Sequence, residues 1–168
     1  MTRTLILMRH AKSSWDDPAL DDFDRSLNAR GRASATSIGK WLNSNGYQPD
    51  AAIVSAAQRT QETYTLTAAE LTKTIDVTFT PALYLAGADL ILKTVQNQTG
   101  QSLLVICHNP GIADFANRIT KSPAGHARFF DYPTAATTII EFQVDSWQDI
   151  SWKSGTANDF IVPRELDT

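Results

Sequence analysis

Three apolar runs of this sequence end in residues that can do chemistry. Thr4–Met8 passes straight into Arg9 and His10; Ala51–Val54 runs into Ser55, with Arg59 close behind; Leu103–Cys107 runs into His108, Asn109 and Pro110. Histidine supplies a nucleophile or a proton near neutral pH, and arginine supplies a planar fork of donors matched to oxyanions. Two histidines and two arginines gathered without a matching cluster of carboxylates describe a site for a compact anion such as a phosphoryl group. Singly, each has a structural reading: a surface pair at a strand end, a helix cap, a solvated helix face. Their recurrence at strand ends is what argues for a site.

The elements that must position them alternate. Residues 4–8, 51–54, 75–79 and 103–107 read as strands, the first and last apolar enough to be buried on both faces. Between them lie helical patterns. One runs from about residue 29, capped by Asn28, with Ala35, Ile38 and Leu42 on one face, and ends at Gly46. A second follows Ser55, with Tyr64, Ala68 and Leu71 on one side. A third covers about 89–98, and a fourth follows Pro110 with Ile112, Phe115, Ala116 and Ile119 in helical register. Residues 137–144 and 149–153, joined through DSWQ, read as a hairpin. The stretch from about residue 160, ending VPRELDT, reads as a loose tail. Strands alternating with helices predict an α/β three-layer αβα sandwich with a mainly parallel central sheet and helices on both faces. Ligands of such sheets sit beyond the carboxyl ends of the strands, where all three polar runs lie.

The 168 residues suit a single domain, 1–168, without linker or repeat. A net charge of −3 gives no reason to expect nucleic acid or an anionic membrane as partner. Cys107 is the one cysteine and closes an apolar run, so it reads as a buried thiol in a disulfide-free, cytoplasmic protein. The apolar LILM is too short for the core of a signal peptide, and no window approaches a membrane span.

At these residues the sequence resembles the histidine phosphatase superfamily, with its phosphoglycerate mutase-like fold. RHAKS resembles the family's Arg-His-Gly signature, SAAQRTQET its Ser-x-x-x-Arg-x-x-x-Thr segment and VICHNPG its second-histidine motif. DFDRSLNARGR is most similar to the small SixA-type phosphohistidine phosphatases, which the short, lidless chain also resembles. The resemblance runs from about residue 4 to about 145. It implies His10 as the nucleophile, becoming a phosphohistidine, with Arg9 and Arg59 holding the phosphoryl oxygens and a cationic His108 donating to one of them. It implies Arg25 as a further basic residue, which could equally be a partner for Asp22 or Asp24. Ser13 and Asn109 are candidate donors to the same oxyanion; Lys12 and Trp15 could line its rim. No metal or other cofactor is implied.

The sequence departs from the wider family in one respect. Mutases and many phosphomonoesterases of this fold carry a glutamate after the third strand that protonates the leaving oxygen, whereas TPALYLAGADL has none. Asp89 reads as a helix cap. The loop DDPALDDFD offers Asp16, Asp17, Asp21, Asp22 and Asp24, of which one could serve. Phosphohistidine needs no such acid, because its ring takes a proton on the nitrogen remote from phosphorus and leaves as neutral imidazole. The leading expectation is therefore a phosphatase for a phosphorylated protein, a phosphorelay or phosphocarrier domain. A small-metabolite phosphomonoesterase using an aspartate of the acidic loop is the second, and a non-catalytic phosphate-binding module the third. A metal site fits poorly, since His126 lies in a loop and the other histidines lack carboxylates at ligand spacing.

Overall fold

The structure, a computed structural model, describes residues 1–166. Six strands form one sheet: β1 (Arg3–Arg9), β2 (Ala51–Ser55), β3 (Asp76–Thr80), β4 (Ser102–Cys107), β5 (Thr137–Phe142) and β6 (Thr156–Ile161). Their order is β3-β2-β4-β1-β5-β6, with β3, β2, β4 and β1 parallel and β5 and β6 antiparallel. Four helices cover it: α1 (Ala29–Ser44), α2 (Gln58–Ala68), α3 (Ala88–Gln96) and α4 (Gly111–Ile119).

Period-two alternation in the central strands builds two cores. Leu5 and Leu7 of β1 and Leu103 and Val105 of β4 point toward α3 and α4, joining Ile91, Val95, Ile112 and Phe115. Ile6, Met8, Leu104 and Ile106 point the other way, onto Ala35, Ile38 and Leu42 of α1. All eight strand residues are fully buried, each contributing about 1.5–3 kcal/mol. This is why β1 and β4 read as continuous apolar runs, and it makes their carboxyl ends rigid supports.

Asn28 caps α1 by accepting from the Gly31 amide at 2.8 Å. Gly31 also lets α1 approach the loop after β1, since a Cβ there would lie 2.0 Å from the Lys12 carbonyl oxygen. The buried face of α2 is Arg59, Thr60, Thr63 and Thr67, not the apolar side expected. Its threonines bond across to neighbours: Thr63 accepts from the Ala11 amide at 3.0 Å and Thr67 donates to the Ala35 carbonyl at 3.0 Å. Tyr64 and Leu71 are only partly buried against the core.

Two expectations fail at the C-terminal end. Residues 149–153 are not a strand: Trp147–Asp149 is a short 3-10 helix, and β5 pairs instead with Thr156–Ile161. Trp147 explains this, because its buried indole donates to the Gly100 carbonyl at 2.9 Å and anchors the segment in the core rather than in the sheet. Nor is the end a loose tail. Ile161 ends β6, Val162 is buried, Pro163–Glu165 forms a 3-10 turn and Leu166 packs against the α1 core, while residues 167–168 lie outside the described part. Among the described residues no helix is long and apolar enough to cross a membrane.

Candidate active site

Sheet register brings the polar strand ends together. Arg9 pairs with Cys107, so the next residue of each strand, His10 and His108, emerge side by side with ring centroids 5.2 Å apart. Val54 pairs with Ile106, which sets Ser55 beside His108, its Oγ 2.7 Å from Nε2. An open cavity of about 390 Å³ lies over these ends, and Arg9, His10, Ser13, Arg25, Arg59, His108 and Asn109 all line it, as do Lys12 and Trp15. The residues expected to bind the phosphoryl group and the two expected at its rim therefore lie in one place, whereas Asp16, Asp17, Asp21 and Asp24 of the acidic loop do not line it.

His10 is almost fully buried, and its Nδ1 sits 2.7 Å from the Ala11 carbonyl oxygen. A carbonyl can only accept, so Nδ1 carries the proton and Nε2 of the neutral ring keeps its lone pair. Burial above all, then His108, Arg9 and Arg59, lower its pKa to about 3 against the opposing Ala11 bond. His108 is lowered to about 4, again first by burial and then by Arg59. It is thus neutral near pH 7, where the sequence predicted a cation. Its buried Nδ1 has no hydrogen-bond partner.

The arginines are aimed by backbone. Arg9 donates through Nη1 to the Tyr132 carbonyl at 3.1 Å, and its buried Nε is unpartnered. Burial and the adjacent Arg59 lower its pKa. Tyr132 holds that carbonyl from a left-handed backbone conformation, φ 51°. Full burial and a hydroxyl bond to the Leu7 carbonyl at 2.6 Å fix it there. Asn109 is committed to the same loop: its amide nitrogen donates to the Asp131 and Tyr132 carbonyls, and its oxygen accepts from the Ala113 amide.

Asp22 is the residue sequence reasoning did not separate from its neighbours. Among the described residues it is the one carboxylate lining the cavity. Oδ1 accepts from Arg25 Nη1 at 2.9 Å, Oδ2 from Arg59 Nη2 at 3.0 Å and from the Tyr84 hydroxyl, and the Asp22 carbonyl accepts from Arg59 Nη1 at 2.7 Å. Its pKa falls to about 2, chiefly through the Tyr84 bond and then through Arg59 and Arg25. Arg25 is buried too, donates to Ser13 Oγ at 2.6 Å and to the Ser14 carbonyl at 3.0 Å, and stacks 3.2 Å over the exposed Trp15 ring. Both readings of Arg25 hold at once: it pairs with Asp22 and it lines the cavity. Tyr84, which also meets His108 edge-on at 5.5 Å between centroids, had no signal beyond its place in the stretch lacking a glutamate. Among the described residues no group of three or more His, Cys, Asp or Glu could hold a metal ion.

The sheet order and the cationic, two-histidine cavity over its strand ends define an α/β sandwich of the phosphoglycerate mutase-like kind. The phosphoglycerate mutase of Plasmodium falciparum shares that fold, with a TM-score of 0.65 at 20% identity over 95% of this chain and 91% of that one. A crystal structure from Agrobacterium tumefaciens, described as a candidate phosphohistidine phosphatase SixA, superposes with a TM-score of 0.78 at 25% identity, over 96% of this chain and 99% of that one. A chloroplastic protein of Arabidopsis thaliana, described as uncharacterized, is 40% identical over 166 residues, covering 92% of this chain and 73% of its own. Residues 5–84 match the model described as histidine phosphatase superfamily, branch 1. The chain belongs to the histidine phosphatase superfamily.

Proposed function

We propose that this protein is a phosphatase that removes the phosphoryl group from phosphohistidine on another protein, through a covalent phospho-His10 intermediate. The observation that carries the substrate class is the state of Asp22. It is the one carboxylate of the described residues in the cavity, and Tyr84, Arg59 and Arg25 hold it ionised, with a pKa of about 2. An alkyl phosphate must expel an alkoxide, for which a positioned acid contributes about 10²–10⁴-fold. Asp22 has no proton to give near neutral pH, so the metabolite-phosphatase reading lacks its acid. Phosphohistidine brings its own proton. The likeness to a protein described as a SixA phosphohistidine phosphatase supports the same class.

In the first step Nε2 of His10 attacks phosphorus in line, the P–N bond of the substrate breaks, and the substrate ring, protonated on its far nitrogen, leaves neutral. Arg9 and Arg59 hold the phosphoryl oxygens, and the unpartnered Nδ1 of His108 takes a third contact. The proton that His10 keeps on Nδ1, donated to the Ala11 carbonyl, makes phospho-His10 a phosphorylated imidazolium. Water then attacks phosphorus, His10 leaves as a neutral ring, and the water proton goes to phosphate. No metal enters either step. The single buried thiol, Cys107, suits action in the cytoplasm.

The test is hydrolysis of a phosphohistidine-bearing protein and of an aryl phosphate, in chelator, by wild type and by His10→Ala. Rapid loss of phosphate from the phosphoprotein by wild type, abolished in the variant, is expected. A wild type that binds inorganic phosphate but turns over neither substrate refutes the proposal in favour of a binding module.

A further inference from the structure

A second cavity, of about 200 Å³, opens beside the first and shares Lys12 and Thr134 with it. Four cations line it: Lys12, Arg30 from the first turn of α1, Arg128 from the loop before β5 and Arg164 from the C-terminal 3-10 turn. Only Arg128 has an acidic partner among the described residues, Asp131 at 3.0 Å. Arg30 and Arg164 are exposed, and their side chains make no hydrogen bond to another described residue. With Arg9, Arg25 and Arg59 in the adjoining cavity, seven of the 15 lysines and arginines of a chain with net charge −3 lie around two touching hollows. That concentration runs against the overall charge and creates a local positive field.

We infer that this cleft is the docking site for an acidic segment of the phosphoprotein substrate, carboxylates that flank its phosphohistidine. The inference rests on the proposed activity and extends it to partner recognition. The volume is below the roughly 300–1,000 Å³ of small-molecule sites, so the cleft suits one or two carboxylate side chains rather than a second ligand. Lys12 stands between the two hollows, so a segment whose phosphohistidine enters the first passes directly over the second. The arginine forks on its walls accept carboxylates bidentately.

The test compares free phosphohistidine with two phosphohistidine peptides, one with aspartate and glutamate flanks and one with serine flanks, as substrates of wild type and of the double variant Arg30→Gln/Arg164→Gln. The expected result is a wild-type preference for the acidic peptide that is lost in the variant, through a KM raised about two- to thirtyfold with kcat unchanged, as for two exposed charge contacts. Turnover of free phosphohistidine stays unchanged, and the preference fades with added salt. Equal wild-type rates on both peptides, or an unaffected variant, overturn the docking site while leaving the activity in place. An equal loss on free phosphohistidine also overturns it, by placing these arginines in the phosphoryl site. An enzyme inert on all three substrates overturns the activity and this inference together.

Discussion

Lowering the pH from 7 to 5 should remove about 4 kcal/mol of folding stability from this protein, through His10 and His108 alone. Both are neutral in the fold, with pKa values of about 3 and about 4, while in the unfolded chain each returns to about 6.5. The unfolded state therefore binds more protons throughout this window, and stability rises with pH. At pH 5 each unfolded histidine is almost fully protonated and its folded counterpart is not, which favours unfolding by about 2 kcal/mol per residue relative to neutral pH. Asp22 has the same sign in another window: its lowered pKa gives stability that is complete above about 4 and is lost as pH falls toward 2, so it does not contribute between 7 and 5. With a urea dependence of about 2 kcal/mol per molar, the histidine effect moves the unfolding midpoint by about 2 M. His10→Asn or His108→Asn should each abolish about half of that shift. A wild-type midpoint that is the same at pH 7 and pH 5, or variants as steep as wild type, would refute the claim that both rings are held neutral.

Asp22→Asn should cost about 1–2 kcal/mol of stability by urea unfolding, since Asp22 is partly exposed, and lower kcat/KM on a phosphohistidine protein by less than tenfold; a loss of 10² or more would make Asp22 a proton donor. Arg59→Lys keeps a charge but loses the fork that spans Asp22 and the cavity, and should lower kcat/KM about 10- to 150-fold in steady-state kinetics. Gly31→Ala would drive a methyl to 2.0 Å from the Lys12 carbonyl oxygen, so the loop carrying His10, Ala11 and Lys12 must move. Unfolding should show a loss of about 1–3 kcal/mol, together with reduced kcat.

What the sequence made legible follows from how each element is buried. β1 and β4 are covered on both faces, so their apolar runs were unmistakable, and the rule that ligands sit beyond parallel strand ends pointed to the cavity that both histidines and both arginines line. The buried face of α2 is a threonine stripe, which apolar periodicity cannot detect. β6 is an edge strand with TANDFI as its sequence, partly exposed along its length, so it carries no alternation, and residues 149–153, just after the turn that holds Trp147, read as strand in its place. Asp22 stood among five aspartates of one loop, and only the fold shows which of them faces Arg25, Arg59 and Tyr84.

The charge arrangement carries one more step. Burial and, after it, the two guanidiniums keep both imidazoles neutral, which leaves His10 with a free lone pair but gives His108 no charge to offer a phosphoryl oxygen. A doubly negative phosphoryl group entering between them reverses the sign of the local field. On the proposed mechanism His108, whose pKa is lowered first by burial and next by Arg59, would then gain a counter-charge and take up a proton, whereas Nε2 of His10 would be engaged with phosphorus. On that mechanism one cationic cavity would give two identical side chains different roles, and only when the substrate is present. The electrostatic donor is created by the anion it stabilises, so binding of inorganic phosphate should draw a proton from solution as pH falls toward 6.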